Sequence, residues 1–245
     1  MSFALIVDST HRYSDVWPLY FGQLSLHFKS DIPKYLFTDT LGSFSFDGVT
    51  PIYYSNDDSY RNQLLGCLKQ VKEEYILYNS EDYVLFDDVN SAELVSLVEF
   101  LKSNNNYDFI KLVRGPESVT QFSDEYPYLH IIDRNDSNFF AQQASIWKTE
   151  SLIKVFENSS PDNGRMQQEP GGSEICRRIG INGLQYFTGK EQKKGKHHYE
   201  SLAFPCIITA IVKGKWNTFE YRNELNKLFR TYNIDKTQRG TYEGY

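Results

Sequence analysis

The segment Glu73–Asp88 reads EEYILYNSEDYVLFDD, and it decides the fold. Its run Tyr75–Tyr78 consists of residues that favour β-strands, and two adjacent carboxylates, Glu81 and Asp82, follow shortly after it. A strand that ends in an acidic turn places its carboxylates at an edge of the sheet, where ligands bind in open α/β sheets. Carboxylate oxygens suit Mg²⁺ or Mn²⁺, which bind through one or two carboxylates together with substrate phosphates. The segment therefore predicts a divalent-metal site for a phosphorylated ligand.

Strand and helix patterns alternate around this segment. The first half predicts strands at 3–7, 34–38, 52–54 and 75–78, a helix capped by Ser14 or Asp15, and helices at 60–72 and 90–102. The second half predicts a strand at 107–113, β or irregular structure at 128–132 and 139–147, a short helix at 152–156, a polar loop at 158–172, a helix at 173–179, a strand near 184–188, a basic loop at 190–198 and a helix at 217–232. The alternation predicts an α/β fold with a mixed, mostly parallel central sheet flanked by helices.

Charge and composition exclude some classes of protein. The 245 residues include 26 Lys and Arg against 32 Asp and Glu, a net charge of −6. A general nucleic-acid binder needs a positive surface, so we expect no nucleic-acid partner. The three cysteines, Cys67, Cys176 and Cys206, lie far apart and show neither metal spacing nor a disulfide framework, which is typical of a reducing compartment.

The apolar segments indicate a cytoplasmic protein. The N-terminal MSFALIVDS has no basic region and too short an apolar run for a signal peptide. The longest apolar stretch, Ala203–Val212, contains Pro205 and is shorter than a membrane span. Peripheral attachment to a membrane remains open, and so does the oligomeric state.

The order of these features resembles that of GT-A-fold glycosyltransferases, especially the bacterial and phage surface-polysaccharide (capsule and O-antigen) branch. The resemblance rests on a strand ending at Asp8, on Trp17-Pro18, on KYLFTD (34–39), on YRNQLLGCLKQVKEEYILYNSEDY (60–83), and on a later Glu-containing loop and His-containing segment. It covers most of the chain. It implies a Rossmann-like GT-A fold in one domain, 1–245, with a nucleotide-binding half, 1–115, and an acceptor-binding half, 116–245, that ends in a lid and a helix.

The activity that this resemblance implies is metal-dependent glycosyl transfer. A sugar would move, with inversion, from a UDP- or GDP-sugar to a saccharide or lipid-linked saccharide acceptor during glycan synthesis. Family members hold Mn²⁺ or Mg²⁺ on the donor pyrophosphate through an Asp-x-Asp motif. Here the motif reads Ser80-Glu81-Asp82, so that Asp82 matches the last acid and Ser80 replaces the first. His198, in preference to His197, matches the C-terminal histidine that completes the metal shell, and imidazole is a reasonable ligand for Mn²⁺.

The resemblance leads us to expect six residues to contact the nucleotide sugar: Asp8, Ser9, Asp39, Arg61, Glu81 and Lys196. Carboxylates at the ends of early strands can accept hydrogen bonds from ribose hydroxyls, and an arginine can bind a phosphate through a bidentate fork. Lys196 belongs to the basic loop, which would close over the diphosphate as a lid. Structural readings stay open for these residues: aspartates that form turns, an exposed helical arginine and a solvated basic loop.

The loop QQEPGGSE, 167–174, matches the place where the family carries the carboxylate that activates the acceptor. An inverting transferase needs one base to remove the proton of the acceptor hydroxyl. Glu169, four residues before Ser173, is the first candidate, and Glu174 is the second. The position of Glu174 at a predicted helix start is also explained by the helix dipole.

Two rival readings remain. A nucleotidyltransferase shares a related fold and metal chemistry, but the segment after the first strand, VDSTHRYSD, lacks the Gly-rich loop expected there. A nucleotide- or sugar-binding relative without catalysis is also consistent with Ser80 in the acidic motif. The chain contains no Walker A, GxGxxG or GxSxG motif, which disfavours kinases, dehydrogenases and serine hydrolases.

Overall fold

A computed structural model describes residues 3–160, 165–194 and 198–244, with the backbone alone described for 165–170. Its helices are α1 (Trp17–His27), α2 (Tyr60–Leu68), α3 (Ser91–Ser103), α4 (Thr149–Glu157), α5 (Arg165–Ile179) and α6 (Arg222–Thr231). Its strands are β1 (Phe3–Asp8), β2 (Lys34–Thr38), β3 (Val49–Tyr53), β4 (Tyr75–Ser80), β5 (Val84–Leu85), β6 (Phe109–Lys111), β7 (Val119–Ser123), β8 (Tyr126–Ile132), β9 (Ser145–Lys148), β10 (Gly183–Tyr186), β11 (Lys193–Lys194), β12 (His198–Tyr199), β13 (Cys206–Ile207), β14 (Ile211–Val212) and β15 (Lys215–Trp216).

Nine of the described strands form one sheet in the order β3-β2-β1-β4-β9-β6-β10-β8-β7. The pairs β1–β2, β1–β4, β2–β3 and β6–β10 are parallel, whereas β8 and β9 run opposite to their neighbours. The predicted fold class, a mixed and mostly parallel sheet flanked by helices, is therefore confirmed. Chain order reverses between β1 and β4, so the carboxyl ends of these strands form a topological switch point, where open α/β sheets bind ligands.

The first strand explains why helices cover both faces of the sheet. All six residues of β1 are buried. Leu5 and Val7 pack in one core with α1, α3 and α6, whereas Ile6 packs in a second core with α2, α4 and α5. Since successive side chains of a strand point to opposite faces, a fully apolar strand needs a layer on each side.

Several predicted boundaries were wrong. The strand before the acidic turn extends to Ser80, because Asn79 and Ser80 pair with Val7 and Asp8 of β1 in the parallel register. The helix predicted to start at Ser14 or Asp15 is α1, and its N-cap is Val16, without a side-chain cap. The helix predicted at 60–72 ends at Leu68, the strand predicted at 107–113 spans only 109–111, and the last helix begins at 222 and not at 217.

The largest correction concerns the loop predicted at 158–172. Helix α5 begins at Arg165 and includes Pro170, Gly171 and Gly172. A side chain at position 172 would overlap the ring of Phe140, so glycine allows this helix to pack closely on the segment that follows β8. The polar composition and the Gly-Gly pair of this segment favour a loop in the sequence. In the structure, Gly172 permits a close contact of a helix and does not form a turn.

Gly183 offers a direct test of the packing between β10 and β6. A Cβ at this position would overlap the ring of Phe109, whereas a Cβ at Gly66, exposed in α2, would meet nothing within 4 Å. We expect Gly183→Ala to lower the free energy of unfolding by about 1–3 kcal/mol through overpacking. Gly66→Ala is expected to raise it by about 0.5–1 kcal/mol, because alanine is a better helix former. Urea denaturation measures both; equal effects of one sign would contradict the packing described.

The three cysteines take no part in a disulfide within the described residues. Cys67, Cys176 and Cys206 are all free and buried. Burial, and secondarily the negative charge of Asp82, raises the pKa of the Cys206 thiol, which therefore stays protonated at neutral pH. Within the described residues, no helix is long and apolar enough to cross a membrane.

Candidate active site

A cleft of about 790 Å³ opens at the carboxyl ends of β4 and β6. Ser80 and Lys111, the last residues of these two strands, line it together with the acidic turn Glu81–Asp82 and with His198. The turn after β1 contributes Arg12 and Tyr13, and Tyr83 lies beside the acidic turn. The segments after β6 and β8 contribute Gly115, Pro116, Glu117, Asn138, Ala141, Gln142 and Gln143. The segment around β14 contributes Thr209, Ile211, Lys213 and Gly214. The structure thus brings together Asp82 and His198, the two residues predicted to bind a metal.

The acidic turn is fixed by hydrogen bonds on both sides. Ser80 Oγ donates to Asp82 Oδ1 at 2.7 Å, and Tyr83 N donates to the Ser80 carbonyl at 3.1 Å. The backbone of Asp82 is held from the other side, since Ala210 N donates to its carbonyl at 2.7 Å. Ser80, which replaces the first acid of the predicted motif, therefore orients the carboxylate of Asp82.

Asn79 anchors the same turn to α1. It lies at 0% exposure in β4, and its amide donates to the hydroxyl of Tyr20 at 2.9 Å and to the Tyr83 carbonyl at 3.4 Å. Glu81 is also buried, at 3% exposure, while it lines the cleft. The turn therefore places one largely buried carboxylate, that of Glu81, at the cleft.

Loop 112–118, after β6, supplies a carboxylate that the sequence analysis missed. Glu117 lines the cleft at 3% exposure, and Gly115 N donates to its Oε1 at 3.2 Å. Tyr199 N donates to the Arg114 carbonyl at 3.0 Å, which docks β12 on this loop. A Cβ at Gly115 would lie 2.7 Å from Glu117 Oε2 and 3.8 Å from His198 Cδ2, so glycine leaves room for both side chains.

The cleft also contains three cations that were not predicted from the sequence: Arg12, Lys111 and Lys213. Lys111 is 1% exposed, and its Nζ donates to the carbonyl of Asn138. A signal for this residue existed, because a lysine interrupts the apolar strand FIKLV (109–113). A cleft that combines carboxylates with lysine and arginine suits a ligand bearing both phosphates and a bound cation.

The lining of the cleft contains residue types that can ligate a divalent metal, although among the described residues only His27, Asp87 and Asp88 place three ligand atoms within 4.8 Å of one another. Asp82 and Glu81 offer carboxylate oxygens and His198 offers an imidazole nitrogen on the lining of one cleft. Oxygen ligands with one imidazole are suited to Mn²⁺, and oxygen ligands alone to Mg²⁺. Ser80 cannot provide the second carboxylate of an Asp-x-Asp motif, so Glu81 is the nearest substitute in the sequence.

A second group of potential metal ligands lies outside the cleft. His27 Nδ1 is 2.9 Å from Asp88 Oδ1, and with Asp87 these residues place their ligand atoms within 4.8 Å of one another. Both aspartates are exposed, and none of the three lines the cleft. Asn90, two residues after Asp88, is the N-cap of α3, as the sequence indicated, and its side chain accepts a hydrogen bond from Glu93 N at 3.1 Å.

Asp8 and Ser9 lie at the switch point but contact protein groups. Asp8 is 2% exposed, and its Oδ2 accepts hydrogen bonds from Tyr60 OH at 2.8 Å and Tyr78 OH at 2.9 Å. Ser9 Oγ accepts a hydrogen bond from Trp17 Nε1 at 2.8 Å. Neither residue belongs to the lining of the cleft. They support the strand ends behind it, and their contact with a nucleotide stays a prediction.

Asp39 organises the loops that follow the first strands. Its Oδ1 accepts hydrogen bonds from His11 N at 2.7 Å and from Thr10 Oγ1 at 3.1 Å, and its Oδ2 accepts one from Asn56 at 2.9 Å. Burial alone would raise the pKa of this carboxyl, but these hydrogen bonds outweigh it and lower the pKa to about 2.

This pKa makes stability depend on pH. Because the pKa of Asp39 in the folded protein lies below the ordinary value of 3.8, its ionised form stabilises the fold above about pH 4, and the contribution is lost as the pH falls toward 2. We expect Asp39→Asn to lower the free energy of unfolding at pH 6 and to lower it less at pH 3. Urea denaturation of both proteins at the two pH values measures the difference; a difference that is independent of pH would contradict this account.

Arg61 is placed away from the cleft. Its Nε donates to the Phe156 carbonyl at 2.9 Å, and its Nη2 donates to the Glu157 carbonyl at 2.9 Å. The last carbonyls of a helix have no partner within that helix, and an arginine side chain can donate hydrogen bonds to them. The contact ties α2 to the end of α4, and the structure does not bring Arg61 to the predicted site.

The predicted bases and the basic loop are only partly described. Glu174 is exposed on α5 and does not line the cleft, whereas the side chain of Glu169 lies outside the described residues, although its backbone belongs to α5. Lys196 and His197 also lie outside the described residues. Of the basic loop, Lys194 forms ion pairs with Glu200 at 3.3 Å and with Glu224 at 3.4 Å.

The fold and the cleft together define an α/β protein whose candidate ligand site lies at the carboxyl edge of its central sheet. No model of a known protein family matches this chain, and no curated protein matches it.

Solved structures resemble the chain at low identity. One is S. aureus TarS, residues 1–349, with 10% identity over 99% of this chain and 67% of that chain and a TM-score of 0.47. A second is CMP:2-keto-3-deoxy-manno-octonic acid synthetase complexed with CTP, with 10% identity over 76% of this chain and 89% of that chain and a TM-score of 0.46. A third is the bifunctional IspDF from Campylobacter jejuni, with 14% identity over 83% of this chain, 52% of that chain and a TM-score of 0.47.

Proposed function

We propose that this chain is a metal-dependent glycosyltransferase. It would transfer a sugar from a nucleoside diphosphate sugar, with UDP or GDP as the nucleotide, to a saccharide or lipid-linked saccharide acceptor in the synthesis of a surface polysaccharide or other glycan. The observation that carries the proposal is that Asp82 and His198, which are far apart in sequence, both line one cleft at the carboxyl edge of the sheet.

The charges of the cleft support a diphosphate ligand. Asp82, Glu81 and His198 would hold Mn²⁺ or Mg²⁺, which as a Lewis acid stabilises the charge of a leaving diphosphate when it is bound. Ser80 keeps the carboxylate of Asp82 in a fixed orientation through its 2.7 Å hydrogen bond. Cations in the same lining make the cleft suitable for phosphate oxygens.

The proton of the acceptor is the second requirement of the reaction. With inversion, the acceptor oxygen attacks the anomeric carbon opposite the leaving phosphate oxygen, and a carboxylate accepts the hydroxyl proton. Glu169 is retained as this base, because Glu174 is exposed and lies away from the lining of the cleft. On the same helix, the Ser173 hydroxyl accepts a hydrogen bond from Phe140 N at 3.0 Å, and Phe140 is followed by Ala141 of the cleft lining.

A donor panel tests the proposal. The purified protein is incubated with UDP- and GDP-linked sugars and MnCl₂, and the release of free UDP or GDP is measured with and without EDTA. We expect release from at least one donor, and we expect EDTA to abolish it. Release of pyrophosphate from CTP or another nucleoside triphosphate, with no release from any sugar donor, would overturn the proposal in favour of nucleotidyl transfer.

A further inference from the structure

The hairpin β14–β15 has an unusual residue in its turn. Val212 pairs with Lys215, so its loop contains two residues, Lys213 and Gly214. Both have positive φ, 50° and 76°. Two-residue hairpin loops with positive φ at both positions are type I′ turns, and Asn-Gly is strongly preferred in them. Lysine at the first position is strained, because its Cβ disfavours the left-handed region that asparagine and glycine adopt readily.

The strained turn lies in the wall of the cleft. Lys213 and Gly214 line it, as does Thr209, which also has positive φ, at 58°. Of the described residues other than glycine, only Thr209, Lys213 and Asn233 have positive φ. Ala210, between them in sequence, donates its N–H to the Asp82 carbonyl at 2.7 Å. Backbone strain therefore concentrates in the segment that faces the acidic turn, and such strain is typical of functional sites.

Arg239 fixes the tip of this hairpin against the turn after β1. Its Nη1 donates to the Gly214 carbonyl at 3.2 Å, and its Nε donates to Asp15 Oδ2 at 3.0 Å. Its guanidinium also lies 4.5 Å from the ring centroid of Tyr13, next to Arg12. One largely buried arginine thus sets the position of the hairpin tip relative to Arg12, so that two exposed cations from distant parts of the chain line one cleft.

We propose that Lys213, together with Arg12, forms an anion-binding wall for the two phosphates of a nucleoside diphosphate, and that the strained turn is retained because this position requires an ammonium group. The inference rests on the proposed function and adds the residues that bind the leaving group. A turn selected for stability alone would carry asparagine at this position. Lysine adds charge where the ligand carries it, at a cost in conformational energy.

The substitution Lys213→Asn separates the two effects, because it relieves the strain and removes the charge. We expect the midpoint of thermal unfolding to rise by about 2–4 °C. We expect the affinity for UDP or GDP in the presence of MnCl₂, measured by calorimetry, to fall about tenfold. Lys213→Arg should retain affinity. Lys215→Asn removes an exposed lysine from the same hairpin, outside the cleft, and is expected to leave affinity unchanged.

The outcomes distinguish this inference from the proposed function. If the wild-type protein binds neither UDP nor GDP, the proposed function fails and the inference fails with it. If the wild-type protein binds and Lys213→Asn binds equally well, the inference alone is overturned. Equal losses of affinity in Lys213→Asn and Lys215→Asn would also overturn it, because the effect would then reflect net charge and not the position of the lysine.

Discussion

Asp82→Ala is expected to reduce the metal-dependent release of UDP or GDP from a sugar donor at least about hundredfold, while the protein stays folded. The carboxylate of Asp82 lies in the cleft, oriented by Ser80 Oγ at 2.7 Å. Removing a group that stabilises charge in the transition state typically costs this much in rate. The measurement is donor turnover at saturating MnCl₂, with circular dichroism and urea denaturation as checks of folding.

Asp87→Ala provides the matched control for this prediction. Asp87 comes from the same sequence segment and is exposed, but it lies outside the cleft, so its loss should leave turnover close to wild type. The stability cost of Asp82→Ala should be near 1 kcal/mol, the typical contribution of one hydrogen bond such as that from Ser80. An active Asp82→Ala protein, or an equal loss in both variants, would contradict the assignment.

Glu169→Gln is expected to remove glycosyl transfer by about 10²–10⁴-fold and to leave the binding of the donor nearly unchanged. Glutamine keeps the size and hydrogen-bonding capacity of the side chain but cannot accept the proton of the acceptor hydroxyl. The comparison requires an acceptor-dependent assay for transfer and calorimetry with UDP or GDP for binding. A loss of both activities together would indicate a change of structure and not the loss of a base.

Glu174→Gln is the control for this second prediction. Glu174 shares helix α5 but is exposed and does not line the cleft, so transfer should stay close to wild type. If instead Glu174→Gln abolishes transfer and Glu169→Gln does not, the two roles are reversed. If neither variant loses transfer, Glu117, buried in the cleft at 3% exposure, becomes the carboxylate to replace next.

The fold could be predicted where local pattern and tertiary structure agree. The strands Phe3–Val7 and Lys34–Thr38 and the capped helix after Asn90 follow from apolar runs and a capping residue, and each is present. The start of α5 could not be predicted, because its first turns contain proline and glycine, which locally favour a loop. That helix depends on close packing against Phe140, a contact between distant parts of the chain.

The site was predictable in the same partial way. The acidic turn and His198 were predicted from the order of motifs, and both line one cleft, while their roles stay predictions. Lys111 and Lys213 could not be found by motif, because one lies inside an apolar strand and the other in a hairpin turn whose strain appears only in the backbone angles. Arg61, which resembled a family residue, instead satisfies the carbonyls at the end of α4.

The most direct test of the central claim is calorimetric titration of UDP and GDP into the wild-type protein and into Asp82→Ala, with and without MnCl₂. We expect one nucleoside diphosphate to bind the wild-type protein more tightly when Mn²⁺ is present, and we expect Asp82→Ala to lose this enhancement while it remains folded. Binding of the nucleotide that is equally tight with and without Mn²⁺, or an Asp82→Ala protein that retains the full enhancement, would contradict the central claim.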